Sequence, residues 1–169
     1  MKFEFQEAKL GSILGLTDDI KNDYDRFSNT LNTIKFLWNR NREPLVLEID
    51  GFIIELLPNQ IVTVTYLQQV SFKKTALPIT AFLFNWAFYG IADHDNEVLC
   101  NGVLFFGTQD IPLITIPEDQ NKKFDVLHDV FIEEFSTSDK IRRNDSNAFK
   151  TIAYYKHALG KRTINIERT

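Results

Sequence analysis

Residues 44–57 read PLVLEIDGFIIELL, two apolar runs meeting at Asp50-Gly51. An Asp-Gly pair suits a two-residue type I′ turn, because both central positions need a positive φ. Closing the hairpin there fixes its register. Ile49 faces Phe52, Leu47 faces Ile54 and Leu45 faces Leu56, which puts six large apolar side chains on one face. The other face pairs Val46 with Glu55 and Glu48 with Ile53, so one face is expected to look inward and the other to be mixed.

The runs that follow have the same character. After the turn-like Pro58-Asn59-Gln60 come IVTVTY at 61–66, ITAFLFNW at 79–86, VLFFG at 103–107 and IPLITI at 111–116. Each is β-branched or aromatic, of strand length, and bounded by Pro, Gly, Asn or Asp. Many short strands without helices between them predict a sandwich or small barrel. In PEDQNKKFDVLHDVFIEEF the period changes: Phe124, Leu127, Phe131 and Phe135 recur at spacings of three and four, with Glu118 and Asp119 near the start. That pattern predicts an amphipathic helix with acids at its positive end. In the first 35 residues Gly11, Gly15 and Asp18-Asp19 suggest turns, and NTIKFLW at 32–38 suggests an opening strand.

A chain of 169 residues with 44% hydrophobic content is expected to build one ordinary core. One cysteine excludes an internal disulfide. MKFEFQEAKLG carries charges where a secretory signal needs its apolar stretch, and no run approaches the roughly 18 apolar residues of a membrane helix. The expectation is a cytoplasmic protein without a membrane partner. The net charge of −4 hides a break: residues 1–139 carry 11 Lys or Arg against 21 Asp or Glu, whereas residues 140–169 carry 8 against 2. The chain is therefore read as two parts, 1–139 and a basic tail at 140–169.

DHDNEVLCNG, residues 93–102, concentrates polar chemistry. A metal site would recruit Asp93, His94, Asp95, Glu97 and Cys100, but one histidine among adjacent acids lacks His-x-His or His-x-x-x-His geometry. A solvated turn between strands fits better, since Asp and Asn bond readily to nearby backbone. A nucleophile would pair Cys100 with His94, His128 or His157, and nothing in the spacing brings a base and an orienting group to it. There is no GxGxxG and no Gly-Lys-Ser/Thr. No catalytic residue, metal ligand or cofactor is assigned, and the protein is not expected to be an enzyme.

The stretch WNRNREPLVLEIDGFIIELLPNQIVTVTYLQQVSF, continued by FLFNWAFYGIADHDNEVLCNGVLFFG and the helix ending FIEEF, resembles the N-terminal cupin-type domain of AraC-type bacterial transcription regulators, particularly those of Bacteroidetes. The similarity spans about residues 30 to 138. It implies a small jelly-roll barrel with a C-terminal helix, serving to sense a small-molecule effector or to form a homodimer. In that family a helical linker and two helix-turn-helix units follow and bind DNA; no helix-turn-helix is read in these residues. The barrel strands also lack the His-rich sets of metal-dependent cupin enzymes. Trp38, Phe52, Phe82, Phe84 and Trp86 are the candidate ligand-pocket residues, and Phe124, Leu127, Phe131 and Phe135 the candidate dimer helix. For each of these, packing in the protein's own core competes with the functional role. The alternative function is a free-standing cupin, either a small-molecule-binding protein or an enzyme.

The tail does not resemble the family's linker in the frame given. Codons allowed for residues 143–169, shifted by one base, can encode EMTRMLLKRLLIISTRLAKEQLILNE, which does resemble it. The tail is thus read as an out-of-frame remnant of a linker helix, with a genuine basic tail as the other reading.

Overall fold

A computed structural model describes residues 2–7, 11–27, 32–89 and 111–136. The chain divides into two compact units, Met1–Thr115 and Ile116–Thr169. The first holds the strands: β1 (Lys2–Glu7), β2 (Ser12–Thr17), β3 (Ile34–Trp38), β4 (Leu45–Ile49), β5 (Phe52–Leu56), β6 (Gln60–Val64), β7 (Val70–Ser71), β8 (Thr80–Phe84) and β9 (Leu113–Thr115). Short helices α1 (Ile20–Asp23) and α2 (Trp86–Tyr89) lie in the same unit, with a 3-10 turn at Tyr24–Arg26. The long helix α3 (Glu118–Ser136) belongs to the second. The mainly β class expected from the sequence is the class observed.

The hairpin adopts the expected register, Leu45 opposite Leu56, Leu47 opposite Ile54 and Ile49 opposite Phe52. Its turn has positive φ at both Asp50 and Gly51, 51° and 85°. Asp50 also clamps the next segment, accepting from Gln69 N–H at 2.8 Å through its carboxylate and donating its own N–H to Gln69 O at 2.9 Å. Five of the six apolar residues turn inward, and Phe52 does not: it is 68% exposed. It begins β5, an edge strand, at the turn, where no further strand lies over it among the described residues.

All pairings among the described residues are antiparallel. One sheet has the order β1-β2-β8-β3-β6-β9 and the other β5-β4-β7. The chain passes from the large sheet to the small one after β3, back at β6, out at β7 and back at β8, a jelly-roll-like alternation. Among the described residues the pairings form two sheets and no closed barrel. Leu37, Val62, Val64, Ala81 and Leu83 of the large sheet meet Leu45, Leu47, Ile49 and Leu56 of the small one in a shared core. Burying side chains of this size contributes roughly 1.5–3 kcal/mol each against the ordering entropy.

Three expectations are corrected. The strand expected at 32–38 forms as β3 but is not an opening one, since β1 and β2 precede it. Gly15 is not a turn: it lies within β2 opposite Leu83, and a Cβ there would stand 2.7 Å from the Phe27 ring. Only a glycine lets that ring lie on the sheet. The strand expected at 79–86 stops at Phe84, because Asn85 caps α2, its Oδ1 accepting from Phe88 N–H at 3.0 Å. The same oxygen accepts from Ile13 N–H at 2.9 Å, so the cap is tied to β2.

Asn39, fully buried, organises the corner between the sheets. Its amide donates to Glu43 O at 3.0 Å and Leu56 O at 2.8 Å, while its Oδ1 accepts from Asn41 N–H and Asn41 Nδ2. Gln60 holds the β5–β6 turn, accepting from Leu57 N–H at 2.9 Å and donating to Thr115 at 3.0 Å.

In the second unit, α3 has 19 residues and begins with Glu118 and Asp119 as expected. Phe124, His128 and Phe131 are buried at helical spacing, and Leu127 and Phe135 are half-buried. The Phe131 and Phe135 rings stack at 6.4 Å.

Candidate functional site

Strand β3 runs through the middle of the large sheet, between β8 and β6. Alternation puts Ile34, Phe36 and Trp38 on one face and Lys35 and Leu37 on the other. Leu37 belongs to the core shared by the sheets. Lys35 therefore points into the interior, opposite Leu83 on β8 and Val64 on β6, and is 2% exposed.

A lysine in such a position is expensive to ionise. Its Nζ donates to Thr33 O at 3.0 Å and stands 5.9 Å from the centre of the Tyr24 ring. It has no carboxylate partner among the described residues. Burial pulls its pKa from 10.5 down to about 8. The acids on nearby elements are engaged elsewhere. Asp23 accepts from the Thr17 hydroxyl at 2.6 Å and pairs with Arg26 at 3.3 Å, and Glu4 pairs with Lys2 at 3.4 Å. Lys2 also donates to Arg26 O and lies over the Phe27 ring at 4.6 Å. Chemically, Lys35 offers two further N–H donors and a positive charge in an apolar surrounding.

The candidate aromatic residues are placed differently. Trp38, Phe82 and Phe84 come together on the opposite face of the large sheet, away from the small one, as the pairing of Phe36 with Phe82, Ile34 with Phe84 and Trp38 with Thr80 requires. Trp38 and Phe84 are buried there and Phe82 is half-buried. Phe36 and Phe84 meet edge to face at 5.3 Å, and Arg40 lies 4.9 Å over the Trp38 ring. Thr63 shares this face, its hydroxyl buried without a hydrogen-bond partner among the described residues. Phe52 is not with the others, being exposed on the edge strand. Trp86 opens α2, and its side chain lies outside the described residues.

On α3, Phe124 and Phe131 are already buried within the single chain, so their burial needs no second copy. His128 is buried between them, its Nδ1 3.5 Å from Asp129. Asp93, His94, Asp95, Glu97, Cys100, the expected strand at 103–107, His157 and the tail lie outside the described residues. Among the described residues no three His, Cys, Asp or Glu side chains gather as a metal site would require, and no helix is long and apolar enough to cross a membrane.

Sequence reading passed over Lys35. In IKFLW the other face is Ile-Phe-Trp, so a lysine in phase with Leu37 reads as the solvent side of the strand; only the small sheet meeting that face buries it. In comparison with known proteins, no family model and no curated protein matches the chain.

Proposed function

We propose that this chain is the effector-sensing and dimerisation module of an AraC-type transcription regulator, working in the cytoplasm by binding and pairing, with no catalysis. The observation that carries the reading is the order of parts. A two-sheet β unit with a lysine buried on the face its sheets share is followed in the chain by a long helix with an apolar stripe. The first part suits a small molecule held between sheets, and the half-buried Leu127 and Phe135 of the second suit contact with a partner copy. The resemblance carried by the hairpin, LLPNQ and the FIEEF helix implies the same two roles in the same order. DNA contact belongs to helix-turn-helix units outside these residues.

The test is to fuse the full chain ahead of a DNA-binding domain that represses a reporter only when paired. Repression, together with a dimer by sedimentation, is the expected result. A monomer that gives no repression overturns the proposal.

A further inference from the structure

We infer that Lys35 is the anchor of a binding site for a small carboxylate, held between the two sheets with its charge on the ammonium and its apolar body against the core side chains. The inference rests on the regulatory reading for its purpose and on the geometry of β3 for its location.

A lysine on a strand ordinarily carries its ammonium to water, since four methylene groups reach past neighbouring side chains. Here that escape is not taken. The side chain enters the face where Leu37, Val64 and Leu83 gather, and Nζ ends against one carbonyl, that of Thr33, and one ring, that of Tyr24. An ammonium has three donors, and one carbonyl satisfies one of them. A carbonyl and a ring face supply only partial negative charge, whereas the buried charge calls for a full one. The described acids do not supply it, because Asp23 is bonded to Thr17 and Arg26, and Glu4 is paired with Lys2.

A carboxylate has the complementary properties: one negative charge and oxygens that accept both remaining donors. The surroundings set the rest of the ligand. Tyr24 and Phe72, in edge-to-face contact at 5.7 Å, are half-buried beside the core, as are Ile54 and Val70. These groups favour an apolar body over a polyhydroxylated one.

The experiment uses the full-length chain, wild type, Lys35→Met and Lys35→Gln, at pH 7. Acetate, butyrate and benzoate are titrated calorimetrically beside their neutral amides, with circular dichroism to establish folding. At least one carboxylate is expected to bind saturably at one per chain, its amide at least tenfold more weakly, and both variants to lose at least tenfold in affinity while remaining folded. Benzoate or butyrate should exceed acetate. In wild-type protein with labelled lysine, the resonance that titrates lowest should move to higher pH when the carboxylate saturates. Absence of saturable binding by all three acids, or equal binding by the Lys35 variants, overturns the inference. Either result leaves dimer-dependent repression by the fusion untouched. Carboxylate binding by a protein that neither dimerises nor represses would instead remove the regulatory reading and leave the site standing.

Discussion

At the scale of single residues, two buried polar side chains act on stability in opposite directions. Lys35 is charged at neutral pH in a place that disfavours charge, so Lys35→Met should stabilise the protein there. The pH dependence has a definite sign. The folded-state pKa, about 8, is below the unfolded value near 10.5, so the unfolded chain holds the proton more tightly. Wild-type stability relative to Lys35→Met should then be lowest below pH 8 and recover as pH rises from 8 to 10.5, by about 3 kcal/mol. Urea unfolding of both proteins at pH 7 and pH 10.5 measures it, and a flat difference would mean that the ammonium is solvated. Asn39 works in the opposite direction. Its amide satisfies two backbone carbonyls in a fully buried corner, and Asn39→Ala leaves Glu43 O and Leu56 O without it. A loss of about 3 kcal/mol is expected in the same assay. Neither role could be read directly from composition. WNRNREP reads as a polar loop, and only the position of β5 and β6 around it makes Asn39 the shared partner.

At the scale of elements, legibility follows how local the determining interaction is. The β4–β5 hairpin was readable because Asp50-Gly51 sets the turn and the turn sets every pair. The helix α3 was readable because Phe124, Phe131 and Phe135 keep its period. By contrast, β1 and β2 were missed: their pairing is fixed by β2 lying against β8, some 70 residues later, as the bond between Ile13 and Asn85 illustrates. Gly15 was misread as a turn for the same reason, since what demands a glycine is the distant Phe27 ring. Gly15→Ala should therefore destabilise by about 1–2 kcal/mol, because an atom must enter a space already filled. The cost should shrink in a Phe27→Leu background, and a double-mutant cycle by thermal unfolding would read that coupling. Equal cost in both backgrounds would place the effect in the backbone of β2 instead. On α3 the outcome depends on which residues are already covered. Phe131 is buried in the single chain, so Phe131→Ala should lower stability by about 3–4 kcal/mol rather than release a folded monomer. Sedimentation and circular dichroism on the same sample separate unfolding from dissociation.

At the scale of the whole molecule, the mainly β class was legible because strand-length runs outnumber helical ones, whereas the candidate site was not. Aromatic residues were the natural candidates for a pocket, yet the topology puts Trp38, Phe82 and Phe84 on the face of the large sheet turned from the small one and leaves Phe52 on an edge. Ile34, Phe36 and Trp38 make the more apolar face of β3, so alternation points that face inward, whereas the fold turns Lys35 and Leu37 between the sheets. Charge is the property of the chain least dependent on such detail. Residues 1–139 carry a balance of −10 and residues 140–169 one of +6, for −4 in total. Phosphate affinity grows with the number of cations that displace condensed counterions, and an acidic body opposes that gain at any orientation. The chain alone should thus bind duplex DNA weakly and without sequence preference, through the basic residues of 140–169. Fluorescence titration with two unrelated duplexes at about 50 and 200 mM salt is the measurement, a range over which contacts to several phosphates lose orders of magnitude in affinity. Equal, weak binding that disappears at the higher salt is expected. Preference for one duplex that persists there would place base-reading side chains within these residues, and the division of labour proposed here, sensing in this chain and DNA recognition outside it, would fall.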